Sequence, residues 1–228
     1  KMDGVKFTIA KAAPKVITAP SGNTLAYNGT DQALVTAGSS ADGTFQYWLE
    51  GQEHSTEIPT GTNAGSYTVY YKLIGDENYT DGETGSVTAT IDPKNIQDAA
   101  VNLGDSLIYN GEEQTKEIAS VTMDGVAGEI TYTFTDNTGT DAGDYNMTLT
   151  GTGNFTGKTT KDWSIAPKNI RDASITLKKD PQTYTGQMLT NSVTDVTVDN
   201  LHLGNGDYTV SGKTEATDVG TYTLTVTG

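Results

Sequence analysis

Three short motifs recur in the same order along this chain of 228 residues, and their spacing constrains the fold more than any other feature. The first is an aromatic turn: Tyr27-Asn28-Gly29, Tyr109-Asn110-Gly111 and Tyr184-Thr185-Gly186. In the first two copies a glutamine follows at the same offset, Gln32 and Gln114. The second is a Gly-x-Tyr block: Gly65-Ser66-Tyr67, Gly143-Asp144-Tyr145 and Gly220-Thr221-Tyr222. The third is a junction, Ile91-Asp92-Pro93-Lys94-Asn95-Ile96 and Ile165-Ala166-Pro167-Lys168-Asn169-Ile170. From turn glycine to block glycine the steps are 36, 32 and 34 residues. Ordered motifs at near-constant spacing mean a tandem array of one supersecondary unit.

Each motif has a mechanical reading. Asn-Gly tolerates positive φ and closes a tight turn at low steric cost. After each block glycine the apolar residues alternate: Tyr67, Val69, Tyr71, Leu73; Tyr145, Met147, Leu149; Tyr222, Leu224, Val226. A period of two buries one face of a strand and wets the other. Phe45, Tyr47 and Leu49 follow the same rule, as do Ile130, Tyr132 and Phe134, then Tyr208 and Val210. The closing strands read Val87, Ala89, Ile91 and Trp163, Ile165. No window sustains a helical period. The expectation is an all-β chain of small antiparallel β-sandwich repeats of immunoglobulin-like type, six or seven strands each. Pro93 and Pro167 fix φ just after a closing strand. Such short connections predict an extended rod with limited hinge motion.

The motifs also set boundaries. Repeat 1 spans 11–93, repeat 2 spans 94–167 and repeat 3 spans 168–228, while 1–10 read as the closing strand of a preceding repeat through Val5, Phe7 and Ile9. Repeat 3 stops after Tyr222–Val226 without a closing strand of its own. An open edge is therefore expected there, with the Val5–Ile9 pattern of a neighbouring molecule suited to fill it, a pairing that would follow from the boundaries of this stretch and not from biology.

With these residues assembled, the chain resembles the glycine-rich, mostly-β bacterial repeats of the MBG and YDG type. The shared elements are the Tyr-Asn-Gly turn with its glutamine, Asp141-Ala142-Gly143-Asp144-Tyr145, the turn Gly153 to Gly157, and the Ile-x-Pro-Lys junction. It departs from the pattern in its third repeat and at Asp76-Glu77-Asn78-Tyr79, where the usual glycine is missing. The resemblance implies a stalk or adhesin segment of a secreted or cell-surface protein of a Gram-positive bacterium, and supplies no catalytic residues.

For chemistry the residues themselves offer little. Net charge is −15, with the acids spread along the chain, so no basic face for nucleic acid is expected. No apolar run is long enough for membrane insertion, and a signal peptide, if the protein is secreted, lies outside this stretch. Absent cysteine excludes disulfides, thiol catalysis and cysteine zinc sites. His54 and His202 lie in different repeats without matching positions, and no nucleophile elbow or phosphate loop is present. Asp76 with Glu77, Asp136 with Asp141, and Asp195 with Asp199 offer oxygen ligands, but none follows the twelve-residue calcium loop. A Lys–Asn cross-link gains nothing from Lys94-Asn95 or Lys168-Asn169, which are sequence neighbours. No catalytic, cofactor or metal residue is expected. Trp163, in phase with Ile165, reads as core. Trp48 falls out of phase with Phe45, Tyr47 and Leu49, faces outward, and is the one candidate for contact with a ligand, a glycan or a host protein.

Overall fold

The computed structural model of the chain describes residues 4–228. Among these residues every regular element is a strand, as the period-two patterns require. The chain divides into two compact units, Lys1–Asn102 with Ile118–Thr135 and Thr148–Lys161, and Leu103–Glu117 with Asp136–Met147 and Asp162–Gly228. The division runs through the second repeat.

The first unit holds the sheet of repeat 1. Strands β1 (Thr24–Ala26), β2 (Gly43–Leu49), β3 (Gly65–Gly75) and β4 (Gly85–Asp92) lie in the order β1-β4-β3-β2. Phe45, Tyr47, Val69, Leu73, Ala89 and Ile91 are buried on one face; Val35 from a short ladder and Leu34 just before it are buried as well. Cross-strand register puts Phe45 opposite Leu73 and Tyr47 opposite Tyr71, so the alternation on each strand lands on a common layer.

Repeat 2 has the same plan. Strand β5 (Leu107–Ile108), β6 (Tyr132–Thr135), β7 (Gly143–Gly151) and β8 (Lys158–Ala166) lie in the order β5-β8-β7-β6. Met147, Leu149, Trp163 and Ile165 are buried. Phe134 stays half open, although its position matches buried Tyr47.

Repeat 3 is built differently. Strands β9 (Ser174–Leu177), β10 (Val193–Val198) and β11 (Leu201–His202) form one sheet, and β12 (Thr209–Gly212) pairs with β13 (Leu224–Thr227) in a separate ladder. Its core is Val196, Val198 and Leu203, with Val226 and Tyr208 against it. Val210, expected to alternate inward with Tyr208, is exposed.

One ladder departs from the antiparallel expectation in both complete sheets. The edge strand runs parallel to the closing strand, with Leu25 opposite Ile91 in repeat 1 and Leu107 opposite Ile165 in repeat 2. Side chains alternate identically in parallel and antiparallel strands, so apolar periodicity carries no sign of direction.

The tyrosine of each Gly-x-Tyr block has a common task. Its hydroxyl donates to the backbone carbonyl four residues back: Tyr67 to Asn63 at 2.7 Å, Tyr145 to Asp141 at 2.7 Å and Tyr222 to Asp218 at 2.8 Å. This corner ties the turn before the strand to the strand itself.

At the opposite end, residues 1–3 of the expected leading strand lie outside the described residues. Gly4–Ala10 belong to no strand, and Val5, Phe7 and Ile9 are 96%, 86% and 86% exposed. Strand geometry needs a neighbour to take up its backbone groups, and among the described residues this segment has no ladder partner.

Candidate functional site

The aromatic turns are the most repetitive feature, and their geometry explains the repetition. Asn28 Oδ1 accepts from Thr30 N at 2.9 Å, and Asn110 Oδ1 from Glu112 N at 2.9 Å, closing an Asx turn over Gly29 and Gly111, both at φ 79°. Gln32 Nε2 donates to Ala26 O and Gln114 Nε2 to Ile108 O, each at 3.1 Å. The glutamine therefore clamps the residue just before the tyrosine. Tyr27 N donates to Asp92 O and Tyr109 N to Ala166 O, each at 2.9 Å, fastening the turn to the junction proline's predecessor.

Held this way, each turn packs on the following repeat. Within the first unit, Tyr27 is 9% exposed and meets Phe155 edge-on, with ring centroids 5.2 Å apart. Ala127 N donates to Asn28 O at 2.8 Å, and a Cβ on Gly29 would fall 2.0 Å from Ala127 O. Asn154 completes the contact: Ala64 N donates to its Oδ1 at 2.8 Å, and its Nδ2 donates to Asn63 Oδ1 at 3.0 Å. Within the second unit, Tyr109 packs on the Val196, Val198 and Leu203 core of repeat 3, and Leu201 lies against Gly111. Tyr184, the third turn tyrosine, is 61% exposed.

Trp48 lies on the sheet face opposite Phe45 and Tyr47, where its phase places it. Its cross-strand neighbour is Tyr70, stacked with ring centroids 6.0 Å apart at 18°. His54 stacks on Trp48 at 3.7 Å and 19°. The three rings form a partly open aromatic platform on repeat 1. Alignment on the block tyrosines puts the opposed pair Thr135 and Thr148 at these positions in repeat 2, and Ser211 and Thr225 in repeat 3. The platform is peculiar to repeat 1. The Trp48–Tyr70 pair follows from strand register; the approach of His54 comes from a long loop, and no sequence signal announced it.

Trp163 is buried, stacks on Tyr145 at 4.5 Å and donates from Nε1 to Asp136 O at 3.2 Å. A cavity of about 640 Å³ opens beside it, between Asp144, Asn146 and Asp162. Asn146 Nδ2 donates to Asp162 Oδ1 at 2.7 Å there, so that carboxylate is already engaged.

The acids do not pool. Asp199 pairs with Lys168 Nζ at 2.6 Å, and Asp195 accepts from Thr197 Oγ1 at 2.8 Å and lies 3.0 Å from His202 Nδ1. The His202 contact, then the Thr197 hydroxyl, holds the Asp195 carboxyl below the usual aspartate range. Asp81 is lowered likewise by the Lys72 ammonium and then by the Gly75 N–H. Among the described residues no three acids or histidines converge on a metal-sized site. Sequence reasoning also passed over Lys116, which is buried and donates from Nζ to the carbonyls of Gly104 at 3.1 Å and Asp105 at 2.5 Å. It acts as an internal cross-brace for a loop lacking regular pairing.

No family model matches the sequence, and no curated protein does. Among solved structures, the chain is similar to Sidekick-1 immunoglobulin domains 1–5, at 12% identity and TM-score 0.32, covering 86% of this chain and 50% of that one. It is also similar to protocadherin gamma B2 extracellular cadherin domains 3–6, at 10% identity and TM-score 0.29, covering 88% and 58%. A third is the Bacteroides ovatus mixed-linkage glucan utilization locus SGBP-B in complex with a mixed-linkage heptasaccharide, at 14% identity and TM-score 0.26, covering 85% and 69%. The chain thus spans about half to two thirds of the length of these structures. At such scores the fold assignment rests on the chain's own ladders.

Proposed function

We propose that this chain is a spacer: a segment of a stalk, in an adhesin or another modular protein at the surface of a Gram-positive bacterium. The observation that carries the reading is the reuse of each repeat's most elaborate local structure. The Tyr-Asn-Gly turn, its Asx bond and its glutamine clamp serve the contact with the next repeat, not a pocket. A chain whose repeated motif is spent on repeat-to-repeat packing is built to hold domains at set angles. Freedom from cysteine and an acidic, Thr- and Gly-rich surface suit that location. In this reading the chain is not an enzyme, carries no cofactor, and binds neither nucleic acid nor a membrane.

Small-angle scattering tests it, on the chain and on a variant with a flexible Gly-Ser linker inserted between Pro93 and Lys94. A spacer gives a narrow distribution of dimensions that the insertion broadens. Equally broad distributions would dismiss the stalk.

The platform at Trp48, Tyr70 and His54 favours a second reading, a binding module for a glycan or host protein. Aromatic faces stack on sugar rings, and a patch present in one repeat only is what a binder needs and a spacer does not. A glycan-array and host-matrix screen with Trp48→Ala as control decides: binding lost in the variant establishes the module, and no binding leaves the spacer.

A further inference from the structure

On the binding-module reading of the platform, we infer that Trp48 is a stacking site for a neutral pyranose sugar and that His54 is its displaceable cap. The ligand takes the place on the indole that the imidazole now fills.

Register explains how the cap reaches its place. Trp48 opposes Tyr70 on β3, and Tyr70 opposes Ser86 on β4, so the three side chains form one row on the sheet face turned away from the core. Strand β2, which carries Trp48, is the last of the sheet. The chain turns back beside it: Gln52 N donates to Leu49 O at 3.0 Å, and Gly51 takes φ 76°. Ser55 then pairs antiparallel with Tyr47, Tyr47 N donating to Ser55 O at 2.7 Å and Ser55 N to Tyr47 O at 3.1 Å. In an antiparallel bridge the residue before Ser55 falls beside the residue after Tyr47. Backbone pairing thus delivers His54 to Trp48 and extends the row to Tyr70, Trp48, His54.

The two sides of the indole differ in what they can admit. A flat ring between two others needs about 7 Å, twice the contact distance of about 3.5 Å. The Tyr70 side, with centroids 6.0 Å apart at 18°, is too narrow. On the other side the imidazole lies 3.7 Å from the indole at 19°, the separation at which a sugar ring would stack. Little holds it there. Among the described residues the His54 ring makes no hydrogen bond or ion pair, and the backbone anchor is at Ser55. His54 is exposed, so a change of rotamer uncovers Trp48 and leaves the turn intact. Trp163 is the opposite case: buried, stacked on Tyr145 and bonded through Nε1 to Asp136 O, it is a fixed part of the core.

The surroundings select the ligand class. A pyranose with equatorial hydroxyls offers a C–H face to an aromatic ring and its hydroxyls to polar neighbours. On the same sheet face, Gln46, Thr68, Ser86 and Thr88 border the two strand rings and supply a carboxamide and three hydroxyls. The turn and the loop after it carry Glu50, Glu53 and Glu57, all exposed. Lys72 on this face is engaged with Asp81 at 3.1 Å. A sialylated, sulfated or uronate sugar would meet these acids without a free cation to offset them, so charge favours a neutral glycan. A protein interface calls for an apolar centre of some breadth, and the residues bordering these rings are polar.

An array of neutral gluco- and galacto-configured oligosaccharides, printed beside sialylated, sulfated and uronate ones and host-matrix proteins, tests the ligand class on the full chain. The expected result is binding to neutral spots. Calorimetry and proton NMR with the tightest-binding neutral oligosaccharide then test the cap. In the free chain the carbon-bound imidazole protons of His54 resonate upfield under the indole ring current, and at saturation they return to ordinary positions. His54→Ala binds about two- to tenfold more tightly than wild type, the factor one aromatic stack is worth. Trp48→Leu keeps an apolar strand residue but no ring, and abolishes binding with its circular dichroism unchanged. Binding that leaves His54 upfield, or that His54→Ala weakens, overturns the cap while the module stands. Trp48-dependent binding to anionic glycans alone, or to a matrix protein alone, overturns the ligand class. No Trp48-dependent binding by wild type or His54→Ala overturns the inference and the binding-module reading together.

Discussion

The first two aromatic turns and the third share a sequence pattern and differ in surroundings. Tyr27 and Tyr109 are fastened at the backbone to a closing strand and covered by the next repeat; among the described residues Tyr184 has neither, and it projects into solvent. The local bend survives the difference: Gly186 keeps φ 74°, and Thr185 Oγ1 still accepts from Gln187 N at 3.3 Å. What is lost is the strand leading into the turn. Turn chemistry is thus settled within a few residues, whereas strand identity at an edge depends on a partner more than fifty residues away in the sequence.

The sharpest way to break this comparison is to remove the same side chain where the closing strand is paired and where it is not. Ile91 and Ile165 are each 1% exposed, and truncating either to alanine costs about 2–5 kcal/mol by lost burial and cavity formation. Ile9→Ala, at the matching motif position but in solvent, stays within about 0.5 kcal/mol for the dilute chain. Urea unfolding of the three variants measures it. Equal losses at all three would mean that Val5–Ile9 is packed after all.

The next effect separates docking from turn strain. Gly29→Ala and Gly186→Ala both force alanine into positive φ, at about 1–2 kcal/mol. Only the first also drives a Cβ into the Ala127 carbonyl; at Gly186 the nearest atom is 3.9 Å away. Gly29→Ala should therefore lose about 1–3 kcal/mol more, through repacking of the junction. Gly111→Ala should fall between, because its obstacle is the far end of the Leu201 side chain. Melting curves giving one common loss would show that the turns bear on local bending alone.

These positions also show how far the sequence could be read. The block tyrosines, the alternation into Val69, Met147 and Leu224, and the outward phase of Trp48 all follow from local pattern, because side-chain direction in a strand is periodic. The parallel direction of β1 and β5 does not, since pairing partners are chosen by tertiary contact. Nor did pattern foretell the half-open Phe134, whose alternation matches that of buried Tyr47. At the candidate platform, Trp48 could be singled out and Tyr70 follows from register. His54 could not, because a loop residue stacked on a ring leaves no periodic trace.

A smaller effect sharpens the comparison at the tyrosine corners. Tyr67→Phe and Tyr145→Phe each remove a hydroxyl-to-carbonyl bond and should cost about 0.5–1.5 kcal/mol. Tyr222→Phe removes the same bond from a ring that is 40% exposed, with no closing-strand aromatic stacked on it. Its loss should be the least of the three by denaturant titration. A loss at Tyr222 equal to that at Tyr145 would mean the corner stabilises by its bond alone, independent of the packing that β8 provides.

The smallest expected effect is on pH dependence, and it asks whether repeats 1 and 3 answer to acid separately. Asp81 and Asp195 both have carboxyls held low, the first by Lys72 and the second by His202 and Thr197. A carboxyl lowered in the folded state favours folding above the ordinary aspartate range. That contribution disappears as pH falls through the lowered value, because both states are then protonated. Asp81 is exposed and Asp195 partly so, and screening by solvent keeps the effect modest. Asp195→Asn should flatten the acid limb of melting temperature against pH for the repeat 3 transition, and Asp81→Asn that of repeat 1. If either variant flattens both limbs together, acid unfolding is one cooperative event, and the junction contacts through Tyr27 and Tyr109 couple the repeats more tightly than their separate cores would require.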